Sequence, residues 1–154
     1  MMTCRLCCLP KPLCDSHILP EFAYRRTYDE NRQAIYLDLL RLKRSVRQRG
    51  FWEKLLCIDC EGKIGRWETY FAEIWYNRPV RPSTLTGRAL VLKGIDYRKT
   101  KLLLLSILWR SSVSSLVPFR DVRLGPHEER LRALMDAADP GPETRYVIAA
   151  LAGC

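Results

Sequence analysis

Residues 55–68, LLCIDCEGKIGRWE, hold the reading on which the fold depends. Cys57 and Cys60 enclose two residues, the gap that lets both thiolates reach one tetrahedral metal ion. A helical pattern begins directly behind them. Ile64, Trp67, Phe71, Ile74 and Trp75 recur at three- and four-residue steps, which predicts a helix over 60–77, and Pro79 follows its end. A thiolate pair opening a helix is half of a zinc site, so a second pair is needed.

That pair is Cys4 and Cys7, again two residues apart. Forty-nine residues lie between the pairs, more than a compact zinc ribbon holds and enough for an inserted functional segment. Two such pairs predict one structural zinc. The chain has seven cysteines, and an odd count with no secretory leader argues against disulfides. Cys8 and Cys14 are close enough in sequence to replace a neighbour as ligand, and Cys154 is left over at the terminus. Structural zinc contributes about 10–16 kcal/mol of apparent folding free energy in small peptides, so the N-terminal half is expected to need its ion.

Outward from these pairs, Pro10, Pro12 and Pro20 punctuate a knuckle and a short extended segment. Phe22, Tyr24 and Tyr28 among charged residues suggest a short helix from Glu21. Over 31–50, Ile35, Leu37, Leu39, Leu40, Leu42 and Val46 fit either a strand followed by a helix or one basic helix. Two prolines in RPVRPS, 78–83, mark a boundary, and 89–92 reads as a short strand. Asp96 is placed to cap a leucine-faced helix from Tyr97 to about Ser114. Gly125 and Pro126 start another helix, with Pro126 at its first position, Glu128 and Glu129 in its first turn and PGPE closing it. Residues 146–151 read as a strand or final helix.

The net charge is +9, with 26 basic and 17 acidic residues. Eight of the cations (Arg25, Arg26, Arg32, Arg41, Lys43, Arg44, Arg47 and Arg49) lie within 25–49, opposed there by Asp29, Glu30 and Asp38. Such a stretch attracts phosphate backbones; a solvated basic face is the alternative. The longest apolar run, 102–109, is too short to cross a bilayer. The start, MMTCRLCCLPKP, lacks the basic and apolar regions of a secretory leader, so the expected setting is cytoplasmic, without membrane contact.

In order, the pieces are CRLC, then DSHILP, a basic insertion, and LLCIDCEGKIGRWE. This order resembles the HNH endonuclease family, whose ββα-metal site belongs to the treble-clef group. The resemblance covers roughly residues 4–70. There, a CxxC precedes an xHIxP strand carrying a general-base histidine, and a second CxxC opens the helix, with a metal ligand just after it. His17-Ile18-Leu19-Pro20 matches the strand, and Glu61 falls at the helix ligand position. The family's metal-binding Asp or His before the base is here Ser16, with Asp15 one residue early. For the family's base-orienting Asn, Asn31 is placed early and Gln48 is closer to the expected distance before the helix; Glu68, two turns beyond Glu61, is a further carboxylate.

The resemblance implies an α+β fold, a small zinc-stabilised ββα-metal core with a predominantly helical C-terminal extension. Residues 1–78 would form the zinc-knuckle domain with its basic insertion at 25–50, and 79–154 the extension packed on it. It implies hydrolysis of DNA or RNA phosphodiesters, with His17 and Gln48 at the reaction. Glu61, Ser16 and Glu68 would hold a catalytic Mg, Mn, Ni or Zn ion, while Cys4, Cys7, Cys57 and Cys60 hold the structural zinc. Arg25, Arg26, Arg41, Lys43, Arg44, Arg47 and Arg49 would contact nucleic acid. A catalytically inactive zinc module that binds nucleic acid is the alternative. The C-terminal helices leave room for a homodimer or a protein partner.

Overall fold

The computed structural model describes residues 2–31, 33–38, 42–47, 50–77, 82–86, 89–92 and 94–148. The chain is α+β. Strand β1 (Leu13–His17) is followed by the single-turn helix α1 (Glu21–Tyr24), then β2 (Ala34–Asp38), β3 (Lys43–Arg47) and β4 (Trp52–Cys57). Helix α2 (Ile58–Asn77) leaves β4 without a loop. After it come β5 (Pro82–Thr86), β6 (Ala89–Leu92), α3 (Tyr97–Val113), a 3-10 turn at Val117–Phe119, and α4 (His127–Asp136). The strands form three separate antiparallel pairs, β1 with β4, β2 with β3, and β5 with β6.

The β1–β4 pair and α2 form a ββα unit. Its register sets Leu13 opposite Cys57 and His17 opposite Trp52, with a bulge between Leu13 and Asp15. Asp59 and Glu61 place negative charge in the first turn of α2, where the helix dipole favours it. Cys60, Ile64 and Trp67 are buried along one stripe of this helix, continued by Phe71, as an amphipathic helix on a core requires. Gly50 enters β4 beneath the ring of Tyr24; a Cβ there would collide with that ring, so the close approach needs glycine.

Helix α3 packs on α2 and on α4, and its Leu102, Leu103, Leu105 and Trp109 share one core with Leu6, Ile18, Leu56 and Ile64 of the N-terminal half. Asp96 caps α3 by accepting from the Lys99 N–H at 3.1 Å, as its sequence position indicates. Two cations from the C-terminal helices reach backbone carbonyls of the N-terminal half: Arg110 of α3 donates to His17 and Arg132 of α4 to Leu6, each at 2.6 Å.

Elsewhere the architecture departs from the sequence expectation. The segment expected to contain a basic helix is the two-stranded β2–β3 ribbon. Tyr36 meets the ring of Phe51 edge-on at 5.1 Å, and Phe51 meets Phe119 likewise at 5.3 Å, so one inward aromatic anchors alternating side chains. The proline-rich boundary contributes β5, which begins at Pro82, a position where a missing N–H is tolerated. Helix α4 begins at His127, with Pro126 as the capping residue instead of the first helical one. Residues 146–148 are neither strand nor helix; Tyr146 takes a positive φ of 55°, which interrupts both. The remainder of that expected element, 149–151, lies outside the described residues.

Candidate metal centre and adjoining carboxylate site

Four cysteines converge from the two ends of the ββα unit. Cys4 and Cys7 sit on a tight turn in which the Cys8 N–H donates to the Cys4 carbonyl at 2.9 Å and the Cys4 N–H to the Leu9 carbonyl at 3.0 Å. Cys8 takes the left-handed conformation, φ 59°, that such a turn demands. Cys57 ends β4 and Cys60 lies in the first turn of α2. The four sulfurs all lie within 4.8 Å of one another, with Cys7 and Cys57 at 3.9 Å. Thiolates bound tetrahedrally at about 2.3 Å from zinc stand about 3.8 Å apart, so this set fits the ion. Cys8 is exposed and Cys14 half-buried, and neither belongs to the cluster.

The cluster's electrostatics suit a cation. Burial pushes the Cys4 thiol up, but backbone N–H groups of Cys57, Cys7 and Leu6 directed at its sulfur bring it down to about 7. Burial raises Cys7 and, much further, Cys60. A bound divalent ion favours the thiolate and removes that penalty.

Beside the cluster lies the pair that the sequence places one residue before His17 and one after Cys60. Ser16 is fully buried; its hydroxyl donates to Glu61 Oε2 at 2.7 Å and accepts from the Leu56 N–H at 3.1 Å. Glu61 is half-buried, and that burial raises its carboxyl above the usual range; the Ser16 hydroxyl, Arg110 and His17 oppose the shift, while Glu68 adds to it. His17 is half-buried on β1, across from Trp52, which is 40% exposed. Among the described residues its ring has no hydrogen-bond partner.

The residue that ties this site together was not visible in the sequence. Arg110, completely buried, donates to the His17 carbonyl at 2.6 Å and to Glu68 Oε1 at 2.7 Å. Its Nε also reaches the Ser106 carbonyl at 3.4 Å. Glu68 therefore joins the site through an ion pair. The one available signal was the Ser106 and Arg110 pair, four residues apart within a leucine-rich helix.

Other expected residues are dispersed. Asp15 pairs with Lys54 at 2.6 Å, away from Glu61. Arg25 and Arg26 lie over the ring of Tyr76, at 5.7 and 5.2 Å from its centre. Lys43 and Arg44 are exposed on β3, where Arg47 is the last residue. Gln48, Arg41 and Arg49 lie outside the described residues, as does Arg32. Among the described residues, the four cysteines are the one group of three or more His, Cys, Asp and Glu donors close enough to share an ion. No protein-family model, curated protein or solved structure matches the chain, so function must be argued from this geometry.

Proposed function

We propose that the protein is an HNH-type metal-dependent endonuclease built on a treble-clef zinc frame. The observation carrying this reading is the hydrogen bond between Ser16 and Glu61, which joins the position before His17 to the position after the second cysteine pair. In that frame His17 accepts a proton from the attacking water, a task suited to an imidazole near neutral pH. Glu61, with Ser16 beside it, offers hard oxygen donors to a divalent cation, a donor set that suits an ion bound by one carboxylate plus water and phosphate. When bound, that cation supplies charge stabilisation at the phosphate. Arg110 fixes the His17 backbone and balances the carboxylates behind it. The zinc cysteines hold β4 and α2 in register, and the cations of 25–49 attract the polyanion.

The test is incubation of the zinc-loaded protein with plasmid, single-stranded DNA and RNA in added Mg²⁺, Mn²⁺ or Ni²⁺. Cleavage lost in both His17→Ala and Glu61→Ala supports the reading. Cleavage unchanged in both would overturn it. One observation favours a second reading, a zinc module that binds nucleic acid without cutting it. Glu68 is committed to Arg110, and Ser16 already donates to Glu61, leaving a single carboxylate for a cation. Binding without cleavage under every metal selects that reading.

A further inference from the structure

The β2–β3 ribbon leaves one face uncovered. Its register sets Ile35 opposite Val46, Tyr36 opposite Ser45 and Leu37 opposite Arg44. Cross-strand partners share a face, and successive residues alternate. Tyr36 turns inward to Phe51. The outer face carries Ile35, Leu37 and Val46, each more than half exposed, with Arg44 beside them. A two-stranded ribbon gains little stability by itself in water, and a contiguous exposed apolar face marks a contact surface. At the ribbon's tip, Leu42 is 90% exposed and takes a left-handed backbone, φ 51°. That conformation suits glycine or asparagine, so a leucine held in it and left in water is doubly unfavourable for an isolated chain. At the ribbon's root lies a shallow cavity of about 290 Å³, lined by Thr27, Asp29, Gln33, Ile35, Arg44 and Val46.

Charge and shape identify the occupant. Among the described residues Arg44 is the one cation on this face, and Asp29 lines the same cavity. Neither forms an ion pair among the described residues. The N–H groups of Asn31 and Gln33 both donate to Asp29 Oδ1, which leaves Oδ2 open. One acid for one cation makes the face neutral on a chain of net charge +9. A polyanion finds no excess of cations here, and an acidic peptide would meet Asp29. The face instead carries its own complements: a projecting leucine and a cation towards its tip, a cavity and an acid at its root. A two-fold axis matches such ends, because whatever residue i of one copy offers residue j of the other is offered back by symmetry.

We infer that the outer face of the β2–β3 ribbon is a homodimer interface, covered by a second copy about a two-fold axis perpendicular to it. The axis crosses between the Leu37–Arg44 and Ile35–Val46 pairs, so the tip of each ribbon lies over the root of the other. Leu42 enters the other copy's cavity, Arg44 meets Asp29 Oδ2, and Ile35, Leu37 and Val46 cover one another. Self-association then belongs to the ribbon and not to the C-terminal helices. Four aliphatic side chains and one ion pair per copy make a small interface of the transient kind, with a dissociation constant of about 10 µM, so dilute protein is monomeric.

Sedimentation velocity of the zinc-loaded protein tests it, over a range of about 1 to 200 µM that brackets this dissociation constant. Wild type should pass from monomer to dimer across that range. Leu42→Asp should raise the dissociation constant at least about tenfold, and Arg44→Glu by a similar factor, because it sets like charges together. Adding Asp29→Asn to Arg44→Glu should recover most of that loss. Asparagine keeps the side-chain oxygen that accepts from Asn31 and Gln33 while removing the repulsion. Leu108→Asp, at an exposed position of α3, should leave the dimer intact. Far-UV circular dichroism and zinc content should be the same in all four variants. Wild type that stays monomeric throughout would overturn the inference. So would a dimer indifferent to Leu42→Asp, or one lost in Leu108→Asp, which would move the contact to the C-terminal helices. A monomer whose amides at 34–37 slow their hydrogen exchange only when duplex DNA is added would give the face to nucleic acid and overturn it as well. Cleavage is read in none of these measurements, so this inference and the nuclease reading fail separately.

Discussion

The ββα unit and the β2–β3 ribbon treat polar and apolar groups in opposite ways. In the first, Ser16 and Arg110 are wholly buried, and each of their polar atoms is directed at a partner. In the second, three large apolar side chains on one face stand more than half exposed beside a cation. Burying charge is unfavourable unless it is paired, and exposing a contiguous apolar face gains nothing for an isolated chain. The difference separates a rigid frame that positions groups from a surface that presents them. Gly50 and the Tyr36, Phe51 and Phe119 contacts join the two.

Removing a zinc ligand should break the frame and with it the contrast. Cys4→Ser or Cys57→Ser should abolish the cooperative thermal transition, because an ion contributing about 10 kcal/mol or more is lost. Native mass spectrometry should find one tightly held zinc in the wild type. A metal-free wild type that remains fully folded would contradict this account of the frame.

The next largest effect is expected at Arg110. Arg110→Met leaves the half-buried Glu68 and the His17 carbonyl without their donor, which should destabilise the protein by about 3 kcal/mol in urea unfolding, the low end for breaking a buried pair. Adding Glu68→Leu should restore much of that loss, a coupling that a double-mutant cycle measures. With two histidines in the chain, NMR can also separate them: the His17 ring resonances should shift in Arg110→Met while those of His127 stay. Equal stability of both single variants and the wild type would show that the clamp contributes nothing.

At the junction, Gly50→Ala should cost about 1–3 kcal/mol through collision with the Tyr24 ring. The smallest effect belongs to the ribbon's outer face. Ile35→Ser, Leu37→Ser and Val46→Ser should each shift stability by no more than about 0.5 kcal/mol, as surface positions do. A larger loss in unfolding measurements would mean that this face packs against something within the chain.

The frame was largely legible in the sequence because its signals are local. Paired CxxC spacings, the apolar stripe behind Cys60 and the cap at Asp96 all lie where the structure places them. The ribbon was ambiguous for a definite reason. Ile35, Leu39, Leu42 and Val46 fall at steps of four, three and four, as on a helix, while Ile35 and Leu37 alternate about Tyr36 as on a strand. The tertiary contact of Tyr36 with Phe51 decides between them, and no local pattern contains it. Arg110 escaped detection because its importance lies in burial and in partners 93 and 42 residues away. Glu68 looked like a free carboxylate for the same reason.

The central claim, that the Ser16, His17 and Glu61 site cuts phosphodiesters, is tested most directly by single-turnover cleavage at saturating DNA in Mg²⁺ or Mn²⁺, wild type against His17→Ala. The substitution keeps the backbone carbonyl that Arg110 holds, so zinc content, stability and DNA affinity should be unchanged. The account predicts a rate lower by about 10² or more, the contribution of a positioned general base. Equal rates for the two proteins would contradict it.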